Sequence, residues 1–306
     1  MLRSLYAGVS GMRNNQTKMD VIGNNIANVN TTGFKSGRVK FQDMLSQTLA
    51  SAQSPTNGGL GGVNAQQIGL GVKVGAIDTI MTEGALQPTN RDLDFAIEGN
   101  GFFVLSQDTQ GDMKFYTRDG AFYRDYSGNL VNAGGYNVMG YVPPTGQMLL
   151  SDAATSAPLS DGPLSSMSIK QSITVDKIDA DGNPYTETLS LETFSIDGSG
   201  QIIGVFSDGN PYLLGQLAVA KFDNEEGLEK AGNNNYRASN NSGQEQIFTA
   251  NTSGYGIIRQ GVIEMSNVDL ANEFTEMIVT SRSYQANSRT ITTSDEMLQE
   301  LINLKR

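Results

Sequence analysis

The sequence predicts a mainly β core with long terminal α-helices, the β body being inserted between them. Two observations carry this. Apolar residues recur at alternating spacings of three and four at both ends of the 306-residue chain. Between the ends, short apolar runs are broken by Gly, Asn and Asp turn signals. Composition agrees: Gly numbers 35 and charged residues make up only 17%, a turn-rich profile that suits short strands.

At the N-terminus, Leu2, Leu5, Val9, Met12, Met19 and Ile26 fall on one seam of heptad type, with Gln16 and Gly23 at its two non-apolar positions. Gly8, Gly11 and Gly23 each cost up to about 1 kcal/mol relative to Ala in a helix. A helix this poor is expected to need a partner before it persists. The C-terminal segment is a stronger helix, with neither Gly nor Pro from Val262 onward. Leu270, Phe274, Met277, Tyr284, Ile291, Leu298 and Ile302 follow the same spacing, interrupted by Ser281, Ser288 and Asp295. Ser266 or Asn267 is expected to cap its start, Asp269 and Glu273 suit the positive end of its dipole, and Lys305 and Arg306 suit the negative end. About 36 residues of helix would reach roughly 54 Å, too long for one small core. Seams like these serve either as domain core or as an interface in a polymer, and the pattern alone leaves both open.

In the middle, Phe102–Leu105, Lys114–Thr117 and Ala121–Tyr123 read as consecutive hairpin strands. Turns are expected at Asp119-Gly120, Ser127-Gly128-Asn129, Asp197–Gly200 and Asp208–Pro211. The segments Asp125–Val131 and Asp197–Ile203 look alike, which we read as convergent hairpin chemistry. Two stretches look loose: a Gly, Ser, Asn and Gln-rich linker over 51–67, and Pro143–Ser166, which is poor in large apolar residues. The expected organisation is a terminal helical domain of 1–50 plus 267–306 and a linker over 51–67. A β core of 68–142 plus 190–266 follows, with a variable insertion over 143–189 that would at most form a small outer domain.

Chemistry is poorly provided for. Cys, His and Trp are absent, which removes the thiolate nucleophile, the disulfide framework and the commonest general base and metal ligand. The net charge of −11 and the lack of a basic cluster argue against nucleic acid. No apolar run suits a signal-peptide core or a membrane span, so neither membrane insertion nor a cleaved signal is expected. Gly69-Leu70-Gly71 with Gly75 has the wrong spacing for a dinucleotide loop. Asp179–Asn183 resembles a calcium loop, but Lys177 and Thr188 stand where acids are needed, so a turn is the better reading. Glu225 and Glu226 read as a solvated acidic loop. We therefore expect no enzyme activity, no catalytic residue, no cofactor and no metal.

Whole segments carry a family resemblance. MLRSLYAGVSG (Met1–Gly11), VIGNNIANVNTTGFK (Val21–Lys35) and Glu264–Arg306 resemble the terminal signatures of the flagellar rod and hook family of axial proteins. Leu93–Leu105, Tyr116–Phe122 and Gly215–Gly243 resemble its β core, leaving Pro143–Leu189 unmatched. The stretches Glu273–Val279 and Ala286–Arg306 look most like the hook of Gram-positive bacteria, with a distal rod protein as the alternative. The resemblance implies that the terminal helices pair as a coiled-coil domain lining an axial channel. It further implies export, without a cleaved signal peptide, through the flagellar type III apparatus, and an extracellular place in the hook or basal body. The seam residues named above become the assembly interface. The partners become copies of the same chain, the distal rod, hook cap and hook-filament junction proteins. A β-rich adhesive or carbohydrate-active protein would not call for such terminal helices.

Overall fold

The computed structural model describes residues 2–55, 61–109, 111, 113–143, 148–149, 162–178, 184–252 and 254–304. It is mainly β with one long helix at each end, and it divides into two compact units. Unit 1 comprises Met1–Val29, Ser36–Ile80 and Val268–Arg306, and unit 2 comprises Asn30–Lys35 and Met81–Asn267.

Unit 1 holds α1 (Leu2–Ala27), β1 (Gly37–Asp43), β2 (Ser46–Ala50), β3 (Gln66–Gly69), β4 (Val72–Thr79) and α2 (Leu270–Leu304). β1 pairs antiparallel with β4, and β2 pairs antiparallel with β3. The expected linker over 51–67 thus spans from the end of one paired strand into the other. Gln66 and Gln67 lie within β3, and Gln53 bridges Val63. α2 starts where Asp269 caps it: its Oδ1 accepts hydrogen bonds from the backbone N–H of Ala271 (2.9 Å) and Asn272 (3.4 Å). The cap is therefore Asp269, because Ser266 and Asn267 lie a turn too early to reach those donors.

Unit 2 holds β5 (Leu86–Pro88), β6 (Phe95–Glu98), β7 (Phe102–Ser106), β8 (Lys114–Thr117), β9 (Tyr123–Arg124) and β10 (Leu130–Val131). The chain continues through β11 (Asn137–Tyr141), β12 (Met148–Leu149), β13 (Leu164–Ser166), β14 (Ser172–Ile178), β15 (Pro184–Ile196) and β16 (Gln201–Phe206). It ends with β17 (Pro211–Lys221), β18 (Glu229–Gly232), β19 (Asn235–Arg237), β20 (Gln246–Thr249), β21 (Ile257–Gln260) and β22 (Val262–Glu264). The main sheet runs β14-β15-β16-β17-β11-β7-β8-β19-β18. β7 and β8 form the expected hairpin, with Phe103 opposite Thr117. β9 instead pairs with β10, so Ala121–Tyr123 does not continue that hairpin. β14 and β15 form a hairpin that joins the sheet through β16. The segment Asp179–Asn183 lies outside the described residues.

β7 and β17 are buried on both faces, which explains the apolar runs Phe102–Leu105 and Leu217–Ala220. Phe103, Leu105, Leu217 and Val219 enter one core cluster, while Phe102, Val104, Ala218 and Ala220 enter a second. Each large side chain so buried contributes about 1.5–3 kcal/mol. The two look-alike segments share one turn. Gly128 N donates to Asp125 O and Gly200 N donates to Asp197 O, with both glycines at positive φ (89° and 79°). Similar sequence here reflects the same hydrogen-bond requirement.

Candidate assembly interface

Within unit 1, α1 and α2 pack along each other in antiparallel sense. Ser4 Oγ lies 3.3 Å from Ser294 Oγ, Lys18 pairs with Glu276, and Asn25 Nδ2 donates to Glu273 Oε1 at 3.1 Å. The glycines have a packing role. A Cβ on Gly8 would sit 3.0 Å from Ile291 Cγ1, and one on Gly11 would sit 2.7 Å from Asn287 Nδ2. These positions let the helices approach closely; at Gly23, by contrast, nothing lies within 4 Å. On α2, Thr280 and Ser294 are buried, each hydroxyl donating to the carbonyl four residues back. Partial burial pushes the Glu273 carboxyl above the usual range, and the hydrogen bond from Asn25 opposes the shift. The partner that α1 was expected to need is thus α2 of the same chain.

The residues expected to form the seam lie beside this contact line. On α1 the contact runs through Ser4, Gly8, Gly11, Lys18 and Asn25. Leu5, Val9, Met12, Met19 and Ile26 stand one position further along, about 100° round the helix, and are half-buried. Leu2 opens α1. On α2, Met277, Ile291 and Leu298 are half-buried, and Ile291 meets Gly8. Leu270, Phe274, Tyr284 and Ile302 are exposed by 39%, 50%, 37% and 64%. Ile278 and Val279, which the seam had not included, are each 56% exposed. Large apolar side chains left this exposed on one helix mark an interaction surface. Sequence reading missed Gly8, Gly11, Thr280, Asn287 and Ser294 as contact residues. The signal was available: Thr280, Asn287 and Ser294 recur every seventh residue, and Asn287 lies opposite the Gly8 and Gly11 pair.

The hairpin of β2 and β3 adds a second uncovered surface. Every residue of its two strands is exposed; Leu49 and Ile68, with Leu45 just before β2, expose 57%, 41% and 85% of their surface. Two strands without a covering layer are marginal in water.

Unit 2 contains a buried ionic junction where its two terminal segments meet. Lys35 Nζ donates to Glu264 Oε1 at 2.5 Å and to the Thr82 carbonyl at 2.7 Å. Arg118 Nη1 lies 3.5 Å from Glu264 Oε2, and its guanidinium also donates to the carbonyls of Ile97 and Gly99. All three charged side chains are at most 2% exposed. Burial pushes the Lys35 ammonium below its usual range, and Glu264 pulls it back. The Gly33 N–H donates to the Glu264 carbonyl at 2.8 Å, so residues 30–35 and 262–264 are held together. Among the described residues, no group of three or more acidic, His or Cys side chains could hold a metal ion, and no helix is long and apolar enough to cross a membrane.

The chain thus combines long paired helices that leave large apolar side chains uncovered with a β-sheet unit. Three family models match: the flagella basal body rod protein (residues 5–35), the flagellar hook protein FlgE/F/G D1 domain (96–204) and the flagellar basal body rod FlgEFG protein C-terminal region (259–304). The Bacillus subtilis flagellar basal-body rod protein FlgG is 46% identical over 307 positions, covering all of both chains. The flagellar hook protein FlgE of Borreliella burgdorferi is 34% identical over 445 positions, and the rod protein FlgG of that organism is 35% identical over 308, each covering all of both chains. The chain belongs to the flagellar rod and hook family of axial proteins, a structural family and not a known enzyme family.

Proposed function

We propose that this chain is the structural subunit of the bacterial flagellar hook. It polymerises into a hollow helical tube that joins rod to filament and transmits torque in swimming. The single observation that supports polymerisation is the exposed apolar row of α2, from Leu270 through Phe274, Ile278 and Val279 to Ile302. An isolated chain leaves it wet, and neighbouring copies would cover it. In this reading the paired helices form the inner, coiled-coil domain that lines the channel. The expected seam residues, from Leu2 to Ile26 and from Leu270 to Ile302, contact other copies. Of the expected insertion over 143–189, Met167, Ile169, Ile173 and Leu189 enter the core, and only its exposed residues, such as Gln171, are proposed to face outward. The chain leaves the cell through the flagellar type III apparatus and contacts distal rod, hook cap and hook-filament junction proteins.

Resemblance of the last helix to Gram-positive hooks favours the hook. A second reading, the distal rod, is favoured by the 46% identity to a rod protein across both whole chains. The 445-position alignment to the Borreliella burgdorferi hook protein, against 308 to its rod protein, also leans that way. Labelling intact cells separates them. Gln171→Cys introduces a lone thiol at an exposed position of a chain that has no native Cys. Label on a short curved structure outside the cell supports the hook. Label that appears only after the envelope is opened moves the assignment to the distal rod.

A further inference from the structure

A cleft of about 470 Å³ in unit 1 runs along the first half of α1. Its apolar wall is made by Tyr6, Val9, Met44, Leu70 and Val72, with Tyr6 72% exposed and Met44 40% exposed. Arg3, Arg13 and Lys73 rim it. All three cations are exposed, and among the described residues none has an ion-pair partner, although Lys18, Arg38 and Lys40 of the same unit are paired. Three unpaired cations around an apolar wall are unusual on a chain of net charge −11. No residue of α2 lines the cleft.

The last turns of α2 have the complementary character. Asp295, Glu296 and Glu300 are exposed and without cationic partners among the described residues. Met297, Leu301 and Leu304, on one face, are 44%, 50% and 82% exposed. In length, Arg3 and Arg13 are ten residues apart on α1, about 15 Å, and 295–304 spans about the same, its carboxylates occupying the first half, about 7.5 Å. Lys305 and Arg306 reverse the sign, so the acidic stretch is bounded at Glu300.

We infer that the cleft of one copy receives residues 295–304 of α2 from a second copy. Arg3, Arg13 and Lys73 face the three carboxylates, and Met297, Leu301 and Leu304 cover the apolar wall. The two surfaces differ, so the contact is heterologous. In a row of copies the first keeps a free cleft and the last a free helix end, and growth continues without closing. This inference rests on the proposal that the chain polymerises, and it names where copies join.

Charge exchange in the full-length protein tests it. One variant carries Arg3→Glu, Arg13→Glu and Lys73→Glu, a second carries Glu296→Lys and Glu300→Lys, and a third combines all five. Polymer is measured by sedimentation and electron microscopy. The first two should each need about tenfold more protein to polymerise. The combined variant, and an equimolar mixture of the first two, should recover. Combined and mixed samples no better than either parent would overturn the docking and leave polymerisation standing. Wild-type protein that never polymerises would sink both. A second readout does not depend on polymer yield: zero-length carbodiimide cross-linking of mixed 14N and 15N wild-type protein. Lys73–Glu300 links joining light to heavy chains are expected. Links confined to single chains, or none, would overturn the assignment.

Discussion

Replacing Gly8 by leucine introduces four carbons where even the first would lie 3.0 Å from Ile291 Cγ1. The same replacement at Gly23 meets nothing within 4 Å of its first carbon. Both sites are interior to α1, so the gain in helix propensity, nearly 1 kcal/mol, is common to the two and cancels between them. What remains is overpacking against α2, typically about 1–3 kcal/mol. Gly23→Leu should therefore be neutral or stabilising, and Gly8→Leu should be less stable than it by about 1–3 kcal/mol. Circular dichroism at 222 nm is a suitable probe, because both long helices belong to unit 1. Equal stabilities for the two variants in dilute monomer would refute the reasoning. It would mean that α1 and α2 do not pack at Gly8 until neighbours arrive.

Three further outcomes follow from the buried groups. Glu264→Ala leaves Lys35 and Arg118 buried without their carboxylate and should cost about 3–5 kcal/mol in denaturant unfolding of unit 2. Gly120→Ala should prevent unit 2 from folding, since a Cβ there would overlap the Phe95 carbonyl oxygen; soluble protein with a native-like proteolysis pattern would contradict this. Burial raises the pKa of the Tyr236 phenol, so above about pH 10 the unfolded chain loses a proton that the folded chain keeps. Stability then falls as pH rises, and Tyr236→Phe should move the alkaline unfolding midpoint upward while keeping the ring packing on Phe102.

Much of the architecture was legible because it rests on local chemistry. The Gly-containing turns at Asp125–Asn129 and Asp197–Gln201 are determined by positive φ, and the apolar runs of β7 and β17 by burial on both faces. The helices were legible as elements, but not their mutual contact. Apolar spacing shows which side chains avoid water, and on α2 those include Phe274 and Ile302, which its own chain leaves exposed. The intrachain line is made by Gly8, Gly11, Thr280 and Ser294, small residues that hydrophobic periodicity does not register. The buried Lys35–Glu264 pair was equally silent, because its partners are separated by 229 positions in sequence. Gln66 and Gln67, at the end of the expected linker, lie in β3, a strand with no buried face to impose alternation.

Copies of this chain are expected to build an open tube. Electron microscopy of the purified full-length protein over a rising concentration series measures that directly. Hollow tubes of constant width and unlimited length are expected, curved for a hook subunit and straight for a rod subunit. Discrete particles of fixed size, with no tubes at any concentration, would contradict it.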